Sequence, residues 1–219
     1  MRLSRFLLGL TLVTATVAMT DDAFAKKKDD SAATATTPDL PVIEMTNIAE
    51  FDSVFSKAKT IQDSLTSAKT ELSTARTNLN SALGAATDAP LKTALADLNT
   101  KAGGALSVAM EGARPKLTAK DAVPANVQSG IDAANGLFTA GEKTVTTAKN
   151  LVPQVQELVA ACTAFPGQVP SLVKDPMAAA KSLKVVNNNL KAIKGTPAYI
   201  DALVAEVDGI WSDVKSVFP

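Results

Sequence analysis

Cys162 is the single thiol in a chain that has no histidine, one tryptophan and one tyrosine. Most enzymes take their proton transfer, nucleophilic attack and metal capture from the side chains that are scarce here. Cys162 sits in Leu158-Val159-Ala160-Ala161-Cys162-Thr163-Ala164-Phe165, with no Lys or Arg beside it to hold a thiolate. It reads as a free thiol buried as a small hydrophobe, and an intermolecular disulfide between two copies is the alternative. Zinc sites draw on Cys and His, and haem in a helical bundle uses an axial His, so no metal or cofactor is expected; a carboxylate-only Ca²⁺ or Mg²⁺ site is the one kind left open.

Glu111, Asp121, Glu142, Asp201, Glu206 and Asp208 are too scattered along the sequence to mark a catalytic pair. Serine and threonine are abundant, yet without histidine a serine nucleophile needs a lysine base, and no motif places one. Phosphate-binding glycine loops, calcium loops and the esterase elbow are also missing. No catalytic residue is assigned. The 22 Lys and Arg balance 22 Asp and Glu, interspersed, which gives no extended basic field for nucleic acid.

The elements that would position any chemistry begin after an address. Met1-Arg2-Leu3-Ser4-Arg5 is cationic, Phe6 to Met19 carries no charge, and Ala23-Phe24-Ala25 puts small residues where a signal peptidase reads. Residues 1–25 are therefore expected to be a signal peptide, which places the protein in the periplasm or outside the cell. Residues 26–45, from Lys26-Lys27-Lys28-Asp29-Asp30 onward, hold almost nothing to bury and read as a disordered tether.

Residues 46–219 read as one helical domain. Phe51, Ala58, Leu65, Leu72, Leu79 and Ala86 form one heptad row, and Val54, Ile61, Ala68, Ala75 and Ala82 form a second, which predicts a helix from Asn47 to Ala86. Pro90 opens a second helix with a stripe of Leu91, Leu95, Leu98, Ala102, Leu106, Ala109 and Ala113, interrupted at Gly103-Gly104; Lys116 to Val123 reads as a charged connection. A third helix starts at Pro124 and kinks near Pro153, with rows Ile131, Phe138, Val145, Val152 and Val127, Ala134, Gly141, Ala148, Val155, and Pro166 to Pro170 stops it. A fourth runs from Asp175-Pro176 to Lys194-Gly195, and a fifth starts at Thr196-Pro197. Asn187-Asn188-Asn189 reads as a solvent-facing strip with one Asn turned to the seam.

The expected architecture is an all-α, elongated up-and-down bundle of about four to five helices with coiled-coil-like, Ala-rich seams, in keeping with 38 alanines. The last helix has the most apolar face. Ile210, Trp211, Val214 and Phe218 on it are the candidate interaction face. The functional expectation is an exported, non-enzymatic structural or protein-interaction module that binds another protein or its own copy. A carrier of lipid or another apolar ligand, with amphipathic helices on a lipid surface, is the alternative.

Overall fold

The structure, a computed structural model, describes residues 39–218. The expected signal peptide and residues 26–38 of the tether lie outside the described residues. Within them the order is α1 (Ala49–Leu83), α2 (Leu91–Lys101), β1 (Leu106–Glu111), β2 (Arg114–Ala119), α3 (Ala125–Cys162), α4 (Phe165–Leu172) and α5 (Pro176–Val217). This is an all-α bundle carrying one small hairpin.

The heptad rows make the core. Phe51, Ala58, Leu65, Leu72 and Leu79 are all buried on α1, and Phe55 and Gln62 widen the buried face. On α3, Val127, Ile131, Ala134, Phe138, Gly141, Ala148 and Val155 are buried. Phe165 stacks on Phe51 at 4.2 Å and meets Phe55 edge-on at 5.7 Å, while Lys143 reaches Glu71, so α3 runs antiparallel to α1. Phe138 and Gly141 of α3 meet Trp211 and Val207 of α5, so α5 runs antiparallel to α3. At about 1.5 Å per residue the three long helices are about 52 to 63 Å each.

Local chemistry sets the ends. Both carboxylate oxygens of Asp52 accept hydrogen bonds at the start of α1, from Thr46 N, Thr46 Oγ1 and Asn47 N. Gly84 takes the left-handed conformation (φ 67°) after α1, and Ala85 N returns to Asn80 O, closing the helix. Lys101 Nζ donates to Leu83 O, another open carbonyl there. Asp175 caps α5 through Ala178 N, with Pro176 in the first turn.

Four expectations require correction. The second helix ends at Lys101, because Gly103 (φ 66°) and Gly104 (φ 75°) take a conformation that no helix continues. Leu106 to Ala119 then forms an antiparallel hairpin in place of helix and loop. Gly112 (φ 68°) sits at the first central position of its two-residue turn, where glycine is favoured in a type II′ geometry. Pro166 to Pro170 does not end structure: α3 breaks at Thr163-Ala164 and these residues form α4, with Pro166 in the first turn, where its missing N–H costs nothing. Gly195-Thr196-Pro197 separates no helices, and α5 is continuous through them. Finally, the chain from Pro41 to Glu44, expected as tether, lies along the bundle as an extended strap with Ile43 buried.

Two asparagines fasten the extended pieces. Asn189 Oδ1 accepts from Glu44 N (3.0 Å), and its Nδ2 donates to Glu44 O (2.6 Å). Asn135 does the same for Leu117, accepting from its N at 2.8 Å and donating to its O at 2.9 Å. Each side-chain amide thereby stands in for a neighbouring strand.

Candidate functional site

The face expected on the last helix is turned inward. Ile210 and Val214 are buried in the core, and Trp211 and Phe218 are half-buried against it. Trp211 lies on Gly141, where a Cβ would come within 2.8 Å of the indole, and its ring meets Phe138 edge-on at 5.9 Å. Ile210 and Val214 are therefore core residues, and α3 supplies a small-residue slot that accepts one side of the Trp211 indole.

Cys162 is free and fully buried, and burial pushes its thiol up to about 11. Two of the scattered carboxylates do share a neighbour. Arg114 contacts Glu111 at 2.7 Å and Glu142 at 3.3 Å and donates to Thr139 Oγ1, and Lys116 also reaches Glu111. This exposed cluster has cations on both sides of Glu111 and pins the hairpin to α3. It resembles an ion-pair latch more than an acid–base pair. Among the described residues, no group of three His, Cys, Asp or Glu is placed to hold a metal ion.

Tyr199 is buried beside Lys69, whose Nζ lies 6.0 Å from the ring centroid and 3.6 Å from Asp39 Oδ1. Burial raises the phenol's pKa, and the charges of Asp39 and Glu206 raise it further. Asp39 and Lys69 thus mark where the strap meets the bundle.

The open surface lies elsewhere, along the joint of α1 and α3. One stretch of groove, about 630 Å³, is lined by Val54, Thr60, Ile61 and Ser64 on α1 and by Leu151, Gln154 and Leu158 on α3. A second, about 440 Å³, shares Thr60 and Ser64 and runs past Ala68 to Glu71 and Lys143. A third, about 660 Å³, continues from Glu71 past Ala75 and Ala82, facing Ala133 and Gly136 of α3. Each member of the second heptad row lines one of these three hollows, Ile61 and Ala68 as buried residues and Val54, Ala75 and Ala82 as half-buried ones. The Lys143–Glu71 ion pair, 2.6 Å, crosses the second hollow. That row was visible in the sequence, but nothing there indicated that the bundle leaves Val54, Ala75 and Ala82 half-covered.

Comparison with known proteins finds no matching family model, no similar curated protein and no similar solved structure.

Proposed function

We propose that the protein is an exported, non-enzymatic helical module of the cell envelope or secreted space, and that the α1–α3 groove receives a helix from a protein partner. The observation that carries this reading is the second heptad row. A row that repeats every seven residues for five repeats is the pattern of a helix seam, yet here Val54, Ala75 and Ala82 stay only half-buried, and hollows open beside the row on either side of the Lys143–Glu71 bridge.

Small side chains shape what fits. Ala68, Ala75, Ala82, Ala133 and Gly136 let a guest backbone come close, while Ile61, Leu151 and Leu158 give one end apolar depth. Such a groove suits an amphipathic helix with small residues on its docking face. The missing histidine, the single buried thiol and the cation-flanked carboxylates support a binding role over catalysis. Export rests on the layout of residues 1–25.

The test is site-directed crosslinking in the host. A photoreactive residue at Ser64 or Asn78 is expected to give one defined adduct, to another protein or to a second copy. Ala133→Trp, which fills the groove at a half-buried position, should abolish the adduct without changing helix content. A protein that sizes as a monomer and gives no adduct, or an adduct that persists in Ala133→Trp, overturns the proposal.

A further inference from the structure

The charges of α5 fall into two blocks. Between Pro176 and Ile200 the chain carries Lys181, Lys184, Lys191 and Lys194 and no carboxylate; from Asp201 onward it carries Asp201, Glu206, Asp208 and Asp213 against Lys215. All four lysines of the first block are exposed. Among the described residues none of the four has an ion-pair partner, a state they share with scattered cations such as Lys57, Arg76 and Lys92; what sets them apart is that they follow one another along one helix with no carboxylate between them. Asp175, at the edge of the block, is engaged in capping α5, and Glu44 of the strap, bonded through its backbone to Asn189, is the one exposed acid held against the block by a hydrogen bond among the described residues.

These lysines suit a helix by propensity but gain no charge partner along it. Lys181 with Lys184, and Lys191 with Lys194, are like charges three residues apart, which repel. Lys184, Lys191 and Lys194 lie on the side away from buried Val186, Asn189, Ile193 and Ile200, with Lys181 flanking, so they form a stripe about 20 Å long.

The same end of the bundle exposes large apolar side chains. Met177 is 83% exposed on the first turn of α5, and Leu172, 46% exposed, ends α4, a helix with no charged residue. Met45 of the strap lines a hollow with Val173 and Lys181 at this end and is itself 41% exposed. Unpaired lysines beside projecting apolar tips suit the boundary of an anionic lipid layer, with headgroups for the ammonium groups and acyl chains for the thioether and leucine.

We propose that the first half of α5 and the tip formed by α4, Met177 and Met45 dock on an anionic phospholipid surface. This site is separate from the α1–α3 groove, so one molecule can hold a membrane surface and a protein partner together. The inference does not depend on the groove reading.

Vesicle flotation of the protein purified from its host tests it, with phosphatidylglycerol–phosphatidylcholine vesicles against phosphatidylcholine alone. Binding is expected only with the anionic vesicles and should weaken as salt rises. A lysine held at such a surface contributes about fivefold to partitioning, so K181Q/K184Q/K191Q/K194Q should reduce it by at least about a hundredfold. All four sites are exposed, so the thermal melt should not move. Met177→Ser with Leu172→Ser should lower partitioning several-fold and leave its salt dependence in place. Equal binding to neutral vesicles, undiminished binding by the quadruple variant, or no flotation at all overturns the proposal. So does capture by soluble polyglutamate without flotation, which assigns the stripe to an acidic polypeptide instead.

Discussion

Cys162 shows how burial alone disarms a reactive group. With its pKa raised to about 11, the thiolate is about one part in a thousand at pH 8, against about a tenth for an unperturbed thiol. Maleimide should therefore label the native chain at least about a hundredfold more slowly than the urea-unfolded chain; equal rates would mean the thiol is accessible. The sign of the pH effect follows from the same shift. The unfolded thiol ionises from about pH 9 while the folded one stays neutral, so stability is complete below 9 and declines as pH rises toward 11. Tyr199 is shifted in the same direction, so Cys162→Ala should flatten the early part of that decline and leave the later part. Gly141 answers a different question at this scale, namely how Trp211 fits. Its missing Cβ would sit 2.8 Å from the indole and 3.2 Å from Val207, and the ring is braced by Phe138. Gly141→Val should cost about 2–3 kcal/mol in urea unfolding, whereas Gly209→Ala, with nothing within 4 Å, should gain about 1 kcal/mol. Equal effects at the two glycines would refute the slot.

At the scale of elements, the long helices were legible and the breaks between them less so. Phe51, Leu65, Leu72, Ile131 and Phe138 recur at heptad spacing and are buried as that spacing requires. Leu106, Ala109 and Ala113 also fit a helical stripe, which hid the hairpin. The competing signals were Gly103-Gly104, Gly112 in a two-residue turn, and the alternation of Pro115, Leu117 and Ala119 with exposed Lys116 and Thr118. Gly195 and Pro197 failed as signals for the opposite reason, since tertiary packing overrode them. Ala192, Ile193, Thr196, Tyr199, Ile200 and Leu203 form one buried face on both sides of the proline, so splitting the helix would turn half of that face away. Pro197 still lacks the N–H that would reach Ile193 O, and Thr196 Oγ1 adds a bond one carbonyl earlier, to Ala192 O at 3.1 Å. Pro197→Ala should raise stability by about 1–3 kcal/mol without changing helix content much. A fall in stability on that substitution would show that the proline fixes a bend the packing needs.

For the described unit as a whole, the question is what holds three long helices in one register when so many contacts are alanine. The strap supplies part of the answer because it ties α1 to α5 directly: Pro41 O accepts from Gln62 Nε2 on α1 (3.0 Å), and Glu44 exchanges two hydrogen bonds with Asn189 on α5. Asn189 is fully buried, so losing the strap would leave an amide without partners inside the bundle. The Asn triplet pointed to one inward asparagine, but its partner lies 145 residues away, a separation that no local pattern reveals. The strap's contribution can be read by comparing chains that start at residue 39 and at residue 46. The shorter chain loses the burial of Ile43, worth about 1.5–3 kcal/mol, and strands Asn189 at about 1–3 kcal/mol. It should therefore be less stable by about 3–5 kcal/mol in urea. Asn189→Leu in the shorter chain should recover part of that loss, since it removes the stranded amide, and in the longer chain the same change should destabilise. If both chains unfold at the same urea concentration, the strap is a passenger and the register is set by the heptad rows alone.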